Sequence, residues 1–433
     1  MVLPVTAKVN DADHLEIGGC DTVELAKEFG TPLFVYDEET VVSRCREYRT
    51  SFSGGPIPVE IIYAAKAFLC LAFARLIAGE GLSIDVSSGG ELYVALKAGF
   101  PAERIYLHGN NKTPEELTMA LENDVGQIVV DSFDELAALD NLAAAKNRRQ
   151  KIFLRLTPGI KPQTHRYIQT GQVDSKFGFG IDDGLARRAV ERAMAAKNLD
   201  LVGLHMHIGS QIFGLDSYTK AIEILTDFVA GLKEAVGFEP GKLNIGGGLG
   251  IKYLATDQPA SIADYAKIVF DAAVAAGKKT GLAVPELAIE PGRSIVGSAG
   301  VTLYRVGTIK EVPVVRTYIS VDGGMSDNLR PMLYGAAYEA LLANKAGDAP
   351  TTTVTIAGKH CESGDILVKD VKLPKLAIGD ILCTPATGAY GYAMANNFNL
   401  QPRPAVVMVK DGLAKIIIKR ESYEDLIRNQ IYE

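Results

Sequence analysis

Lys66 is the residue whose setting first suggests chemistry. It follows the largely apolar run Val59–Tyr63 in the sequence YAAKAF, where few polar neighbours would solvate an ammonium group. Poor solvation favours the neutral amine, which is a nucleophile and forms Schiff bases with aldehydes. For a single lysine at the end of a strand, ordinary solvation is the alternative. The rest of the chain therefore decides how Lys66 is interpreted.

A glycine run is the second candidate. Gly246, Gly247 and Gly248 lie together in the sequence NIGGGLG. Without Cβ atoms, backbone N–H groups can approach an anion closely, so the run is a candidate phosphate loop. Tight turns use the same residues, which leaves a purely structural turn as the alternative.

Glu290 is the third candidate, at the end of an apolar segment in the sequence AIEPGR. A carboxylate buried there needs a partner. A protonated heteroaromatic nitrogen of a cofactor would serve. The competing hypothesis is a salt bridge to Arg293 or to another arginine.

His205 and His207 lie two residues apart in the sequence HMHIGSQ, on the same face of a predicted strand. With His108, an aspartate and a carboxylated Lys66, the pair could bind a metal, as in a metal-dependent hydrolase. Alternatively, one imidazole lies flat against a cofactor ring and Ser210 contacts its phosphate. Because few further ligands are available, we expect no bound metal.

The candidate residues fall at the ends of predicted strands. Eight short apolar segments alternate with longer helical patterns, which predicts a parallel (β/α)8 barrel. In a barrel the carboxyl ends of all strands meet at one face, so groups distant in sequence converge there. Further strand-end groups are Asp85, His108, Asp131 and Arg155. The predicted strands are residues 59–63, 82–86, 104–108, 126–131, 151–156, 201–207, 242–247 and 286–290.

After Arg293 the pattern changes to short β-like runs separated by Gly, Pro and Asp, which predicts an antiparallel β domain. A strand-like segment near the N-terminus, LFVYD, is expected to join it. We therefore predict a barrel over residues 39–290 and a β domain built from residues 1–38 and 291–433.

Composition excludes several classes of protein. The chain has 433 residues and a net charge of −7, which argues against nucleic acid or an anionic membrane as partner. The sequence has no basic leader and no segment of transmembrane length, so cytoplasm is the predicted location. The 5 cysteines have no CxxC spacing and indicate neither a disulfide framework nor a zinc site.

In sequence order, the chain contains Lys66 and the motifs HIGSQ, GGG, EPGR, CESGD and GAYG. Together they resemble the pyridoxal-phosphate-dependent decarboxylases of the alanine-racemase-like fold, from about Thr31 to Asn399. The segments DVSSGGEL, HGNNKTPEEL, KFGFGI and NLRPMLYGA are similar to the diaminopimelate decarboxylase branch of that family. The resemblance implies a barrel that binds pyridoxal phosphate, with a C-terminal β domain.

The resemblance also implies a role for each motif residue. Lys66 would bind the cofactor covalently, His207 would stack on its ring, and Glu290 would pair with its ring nitrogen. Asp85 would also line the cofactor site. The phosphate would lie among Gly246, Gly247, Gly248, Ser210, Arg293 and Tyr390. The substrate would contact Arg293, Arg330, Tyr334, Tyr390 and, from a partner subunit, Cys361 and Glu362.

The implied reaction is decarboxylation of meso-2,6-diaminopimelate to L-lysine and CO2, the last step of lysine biosynthesis, in a homodimer with shared active sites. Arginines suit a substrate with a second carboxylate, because a guanidinium binds a carboxylate bidentately. Cys361 or Lys66 would return the proton.

Phe68 replaces a polar residue common in the family, which leaves a decarboxylase of another D-amino acid or of a carboxy-polyamine as an alternative. A metal-dependent barrel hydrolase is the alternative from a different class.

Overall fold

The computed structural model describes residues 2–159 and 175–432. The chain divides into two compact units. The barrel unit comprises Cys45–Gly250 and Pro259–Arg293, and the β unit comprises Met1–Arg44, Ile251–Gln258 and Ser294–Glu433. In the described part of the chain, no helix has both the length and the apolar character needed to cross a membrane.

The described residues form strands throughout the chain. The strands are β1 (Lys8–Val9), β2 (Leu15–Ile17), β3 (Cys20–Asp21), β4 (Leu33–Asp37), β5 (Val59–Ala64), β6 (Ser83–Val86), β7 (Ile105–Leu107), β8 (Gln127–Val130), β9 (Gln150–Thr157), β10 (Phe179–Gly180), β11 (Leu199–Met206), β12 (Lys242–Asn244), β13 (Glu286–Ile289), β14 (Gly300–Val312), β15 (Arg316–Val321), β16 (Leu341–Leu342), β17 (Thr352–Ala357), β18 (Ile366–Leu373), β19 (Ile381–Thr384), β20 (Ala405–Lys410) and β21 (Leu413–Ile418).

Helices separate many of these strands. They are α1 (Thr22–Phe29), α2 (Glu38–Phe52), α3 (Leu71–Gly79), α4 (Gly89–Lys97), α5 (Pro114–Glu122), α6 (Phe133–Ala145), α7 (Leu185–Ala195), α8 (Asp216–Val236), α9 (Ile262–Thr280), α10 (Arg293–Val296), α11 (Arg330–Tyr334) and α12 (Tyr423–Ile427).

The barrel unit contains a closed ring of parallel strands. They follow the order β5, β6, β7, β8, β9, β11, β12 and β13, and β13 pairs with β5 to close the ring. This arrangement confirms the predicted (β/α)8 barrel. Buried apolar side chains fill part of its interior, namely Ile62, Tyr106, Val129, Phe153 and Ala288.

Side-chain caps fix where several barrel helices begin. Ser88 caps α4, Ser132 caps α6 and Ser261 caps α9, in each case by accepting a backbone N–H bond from the first turn. Thr113 and Glu116 form a reciprocal capping box at α5. Each cap satisfies N–H groups without partners inside the helix and contributes about 1 kcal/mol. Several helices therefore start a few residues after a strand, which keeps the strand-end groups in short loops.

The β unit contains one large sheet in the order β18, β17, β15, β14, β4, β20 and β21, and β19 connects β14 to β16. The pairs β15–β17 and β4–β20 are parallel, whereas the other pairs are antiparallel. The predicted antiparallel sheet is thus mixed. Strand β4 from the N-terminal part of the chain is buried at all 5 residues.

Strand β18, with the sequence ILVKDVKL, is not predicted by the sequence pattern. Its charged residues Lys369, Asp370 and Lys372 interrupt the apolar alternation. The strand lies at the end of the sheet order, where charged side chains reach solvent. Charges of this kind protect an edge strand from pairing with other chains.

Candidate active site

Lys66 lies in a short turn directly after β5. Its Nζ is 3.6 Å from Oδ2 of Asp85, which is buried near the end of β6. Burial raises the pKa of the Asp85 carboxyl, and Lys66 opposes that rise. The Lys66 side chain is 38% exposed. The expectation of a poorly solvated amine is therefore wrong, because the turn carries the side chain beyond the apolar strand.

Glu290 follows β13 and is buried. Its Oε1 accepts a hydrogen bond from Asn244 Nδ2 at 2.8 Å and lies 3.0 Å from His108 Nε2. Its Oε2 lies 3.3 Å from His205 Nε2. The salt bridge to Arg293 suggested by the sequence is absent from the described residues. Neighbouring strands of the barrel supply an amide and two imidazoles instead.

The Glu290 cluster, made up of Glu290, Asn244, His108 and His205, keeps the carboxylate ionised. Burial would raise the pKa of Glu290, but His108 and His205 hold it well below its usual range. Burial lowers the pKa of His205 to about 4, against the effect of Glu290. His205 is therefore neutral at neutral pH. Its Nδ1 is buried with no partner among the described residues, which suits the tautomer that has its proton on Nε2.

The glycine loop (Gly246–Gly248) follows β12 beside this cluster. A Cβ on Gly247 would lie 2.0 Å from the carbonyl oxygen of Glu290, so no side chain fits there. The Gly247 N–H donates to Nδ1 of His207 at 3.3 Å. Burial and the nearby Lys66 hold the pKa of His207 well below its usual value. A neutral imidazole is thus fixed against the glycine loop.

Arg293 and Ser210 come together in the same unit. Arg293 is buried, and its Nη2 donates to Ser210 Oγ at 2.9 Å. Residues 83 positions apart in sequence meet because both follow ends of barrel strands.

Two other strand-end groups hold a neighbouring segment. Arg155 Nε lies 3.8 Å from Asp131 Oδ1, and its guanidinium lies 4.1 Å from the centre of the Phe177 ring. Asp131 Oδ2 accepts the Gly178 N–H at 3.0 Å. These contacts give Arg155 and Asp131 a structural role in positioning residues 177 and 178.

In the β unit, α11 carries Arg330 and the half-buried Tyr334. Arg330 is only 6% exposed. Its guanidinium donates to the Tyr338 hydroxyl and lies 4.7 Å from the centre of the Tyr253 ring. Within residues 2–159 and 175–432, no carboxylate is close enough to form an ion pair with it. Burial lowers the pKa of Arg330, but Tyr338 and Tyr253 more than offset this and raise it above its usual value.

Cys361 and Glu362 are exposed on the turn between β17 and β18. The Cys361 N–H donates to Asn399 Oδ1 at 3.0 Å. Behind the turn, His360 Nδ1 lies 2.7 Å from the buried Asp365 carboxylate. The buried pair fixes the backbone that displays the exposed thiol and carboxylate.

Tyr390 lies in the segment GAYG and is half-buried. Its φ of +58° is in the left-handed region, which costs a residue with a side chain about 1 kcal/mol or more. The flanking glycines leave no room for side chains, because a Cβ on Gly388 would lie 2.0 Å from the Val296 carbonyl and one on Gly391 would lie 2.3 Å from the Thr387 carbonyl. Close backbone packing on both sides holds Tyr390 in this conformation.

Comparison with known proteins identifies the family to which the chain belongs. A family model described as pyridoxal-dependent decarboxylase, pyridoxal binding domain, matches residues 38–297. The chain is 48% identical to the diaminopimelate decarboxylase of Bacillus subtilis over 428 residues, which cover 99% of this chain and 98% of that protein. The chain belongs to the diaminopimelate decarboxylase family.

Solved members of the family share the fold. A crystal structure of the M. jannaschii diaminopimelate decarboxylase with L-lysine has a TM-score of 0.94 at 36% identity, covering 100% of this chain and 99% of that chain. The Helicobacter pylori enzyme with L-lysine has a TM-score of 0.86 at 31% identity, covering 94% and 98%. The resemblance stated from the motifs is therefore confirmed, and so is the fold.

The cofactor of this family is pyridoxal phosphate. The chemistry of the barrel residues fits this cofactor. Lys66 offers an amine to the cofactor's aldehyde, and Glu290 offers a carboxylate to its ring nitrogen. The glycine loop packs closely against the neighbouring backbone and has no side chain that would keep a phosphate group away from its main chain. The barrel unit thus supplies groups that fit the aldehyde, the ring nitrogen and the phosphate of the cofactor.

The structure does not support the metal site that the sequence suggested around His205 and His207. Ligand atoms of His108, His205 and Glu290 lie within 4.8 Å of one another. His207, however, contacts the glycine loop rather than this group, so the HxH pair does not act as one ligand set. The metal-dependent hydrolase alternative also conflicts with the family assignment.

Asn244 is the residue that sequence reasoning missed in the barrel. Its Nδ2 donates to Glu290, and its Oδ1 accepts the Gly246 N–H at 2.8 Å. One side chain therefore connects the glycine loop to the Glu290 carboxylate. The available signal was a buried amide at the end of an apolar strand, which requires specific partners.

Proposed function

We propose that the side chains described above carry out the reaction for which the family is named, decarboxylation of meso-2,6-diaminopimelate to L-lysine and CO2. The observation that carries the substrate assignment is Arg330. It is a buried guanidinium, and the described part of the chain supplies it with no carboxylate. A buried charge needs a counter-charge, and the second carboxylate of the substrate would provide one.

The barrel unit would hold the cofactor. Lys66 would attach it covalently, with Asp85 as the counter-ion of the amine. Glu290 would face the ring nitrogen as a carboxylate, and His207 would lie against the ring. The phosphate would be bound by the glycine loop with Ser210, Arg293 and Tyr390.

The substrate would be held at its far end. Arg330 and Tyr334 on α11 would take the distal carboxylate, together with Arg293 and Tyr390. Glu362 would accept the distal amine as an ion pair. This set of charges matches an amino-acid end group rather than a bare ammonium.

Bond cleavage then depends on orientation and on one proton. When bound, pyridoxal phosphate withdraws electrons from the carbon that loses its carboxylate. The protein residues would hold the leaving carboxylate in a fixed orientation and keep it poorly solvated, which would lower the activation barrier to CO2 loss. Cys361 or Lys66 would then donate a proton to the same carbon.

Assembly and location extend the proposal. A homodimer would let Cys361 and Glu362, both exposed on their turn, enter the partner's site. The division of the chain into a barrel over residues 39–290 and a β domain from residues 1–38 and 291–433 stays a prediction. A cytoplasmic location stays a prediction.

The reaction is tested with purified protein offered a panel of substrates: meso-2,6-diaminopimelate, D-lysine, L-ornithine, L-arginine and carboxynorspermidine. We expect CO2 and L-lysine from the first at the highest kcat/KM. Preference for D-lysine or carboxynorspermidine would instead support the alternative decarboxylases of the family. Failure to release CO2 from meso-2,6-diaminopimelate would overturn the substrate assignment.

Lys66→Ala tests the attachment of the cofactor. The wild-type protein should absorb in the visible region because of the bound cofactor, and the variant should lose covalently bound cofactor and at least about a thousandfold in kcat, since a covalent step is removed. Lys97→Ala, at an exposed position on α4, is the matched control and should keep both properties. A Lys66→Ala protein that still releases cofactor only after denaturation would contradict the assignment.

A further inference from the structure

Arg330 is surrounded by two tyrosines whose roles are not explained by the reaction itself. We propose that Tyr253 and Tyr338 form a tyrosine clamp that fixes the Arg330 guanidinium for the distal carboxylate of the substrate. The clamp then determines how strongly the enzyme prefers amino acids with a second carboxylate. This inference rests on the proposed function, because it requires that Arg330 contacts the substrate.

The clamp holds the guanidinium from two directions. The Tyr338 hydroxyl accepts a hydrogen bond from Nη1, which restricts rotation in the guanidinium plane. The Tyr253 ring lies 4.7 Å from the guanidinium carbon, within the range of a cation–π contact. The two rings meet edge to face, with centres 5.2 Å apart at 82°. Each tyrosine therefore also fixes the position of the other.

The chemistry of the clamp leaves the positive charge available. A carboxylate partner would neutralise Arg330 and compete with the substrate. A hydroxyl and an aromatic face stabilise the cation without neutralising it. A neutral clamp therefore positions a buried arginine and preserves its attraction for an incoming carboxylate.

Local backbone contacts set the position of each tyrosine. The N–H groups of Tyr253 and Leu254 both donate to Asp257 Oδ2 at 2.9 Å, which holds the turn that carries Tyr253. On the other side, α11 ends at Gly335, whose φ of +61° reverses the chain toward Tyr338. These turns explain how residues that are far apart in sequence, such as 253 and 330, meet at one guanidinium.

The clamp makes a prediction about selectivity. D-Lysine has the same structure as meso-2,6-diaminopimelate except that it lacks the distal carboxylate. It therefore cannot form an ion pair with Arg330 through that group. Loosening the guanidinium should weaken binding of meso-2,6-diaminopimelate and leave D-lysine unaffected. A merely structural role for the tyrosines would change both substrates equally.

The experiment compares Tyr338→Phe, Tyr253→Phe and Tyr253→Leu with the wild-type holoenzyme. For Tyr338→Phe and Tyr253→Leu we expect KM for meso-2,6-diaminopimelate to rise about tenfold, the effect of losing one contact to a charged group, with kcat nearly constant. Tyr253→Phe keeps the ring and should have a smaller effect. The matched control is Tyr318→Phe, because Tyr318 also lies beneath an arginine, Arg316, in the same unit.

A binding measurement supports the kinetics. L-Lysine retains the distal carboxylate and cadaverine lacks it, so the variants should bind L-lysine about tenfold more weakly and cadaverine as the wild type does. Thermal unfolding identifies any variant that fails to fold, and the conservative phenylalanine variants then provide the test.

The outcomes separate the two proposals. If the wild-type enzyme does not decarboxylate meso-2,6-diaminopimelate, the proposed function fails. If the wild type is active but the folded variants keep the wild-type ratio of kcat/KM for meso-2,6-diaminopimelate over D-lysine, the clamp is wrong and the function stands. An equal loss for both substrates also overturns the clamp.

Discussion

Glu290 in the barrel unit and Arg330 in the β unit are both buried charges, but their surroundings differ. Glu290 has contacts at both carboxylate oxygens from Asn244, His108 and His205. Arg330 has a tyrosine hydroxyl and an aromatic face, and the chain that the structure describes gives it no carboxylate.

The difference separates two uses of a buried charge. Glu290 is held as a carboxylate by one amide and two imidazoles, so that a cofactor finds the charge already in place. Arg330 is positioned while its charge stays uncompensated, so that the counter-charge comes from the substrate. Neighbours therefore indicate whether a buried charge is balanced by the protein or by a ligand.

Replacing Arg330 by Met should produce the largest effect. We expect kcat/KM for meso-2,6-diaminopimelate to fall about a hundredfold, because a charge-assisted bidentate contact is lost. The free energy of unfolding of the apoprotein should change by less than about 1 kcal/mol, since an apolar side chain replaces a buried charge that has no ionic partner. Steady-state kinetics and urea unfolding measure the two quantities.

Arg316→Met is the control for this pair of measurements, because Arg316 is paired with Asp370 at 3.6 Å in the same unit. Its kcat/KM should equal that of the wild type. A strongly destabilised Arg330→Met apoprotein would show that the protein itself balances the charge, and the contrast with Glu290 would be lost.

We expect the free energy of unfolding to depend on pH through His205 of the Glu290 cluster. The folded-state pKa of His205 is about 4, below its usual 6.5, so the unfolded chain takes up a proton that the native protein does not. Stability is therefore complete above about pH 6.5 and declines toward pH 4, with a loss of about 2 kcal/mol between pH 7 and pH 5. Urea unfolding of the apoprotein across this range measures the slope.

His205→Gln removes the titrating group and keeps a side-chain donor for Glu290, so its stability should be flatter with pH. Arg330→Met should retain the wild-type slope, since Arg330 does not titrate in this range. An unchanged slope in His205→Gln would assign the pH dependence to other groups.

Asn244→Ala should have the smallest effect of the three. The variant loses the contacts to Glu290 and to the Gly246 N–H, and we expect pyridoxal phosphate to bind about tenfold more weakly. Equilibrium dialysis of the cofactor measures this without turnover. Asn198→Ala, which breaks an amide contact to Asp140 elsewhere in the barrel unit, should leave cofactor affinity unchanged. If Asn244→Ala and Asn198→Ala bound pyridoxal phosphate with equal affinity, Asn244 would have no role in the cofactor site.

The sequence predicts the barrel well because its signal is local. Each strand is a short apolar run followed by a polar end group, and these runs agree with β5 through β13 apart from the short β10. Lys66, Glu290 and the glycine loop could be selected for the same reason. Each stands out against apolar neighbours in the linear sequence.

The remaining features depend on distant contacts. Tyr253 and Tyr338 look like ordinary core tyrosines until they meet at Arg330, and both are buried. The Glu290–Arg293 salt bridge was a reasonable inference from adjacency in sequence, yet Arg293 donates to Ser210. Solvation of Lys66 was misjudged because apolar neighbours along the chain do not fix where a turn points the side chain.

Strand β4 has a consequence for how the chain is made. It lies between β14 and β20, and its Leu33 pairs with Ala405. At about 5–20 residues per second, the ribosome completes β20 roughly 20–70 s after β4. The nascent chain must carry this buried strand without its complete set of partners for that interval, so correct biogenesis depends on shielding one edge of β4 until synthesis is nearly finished.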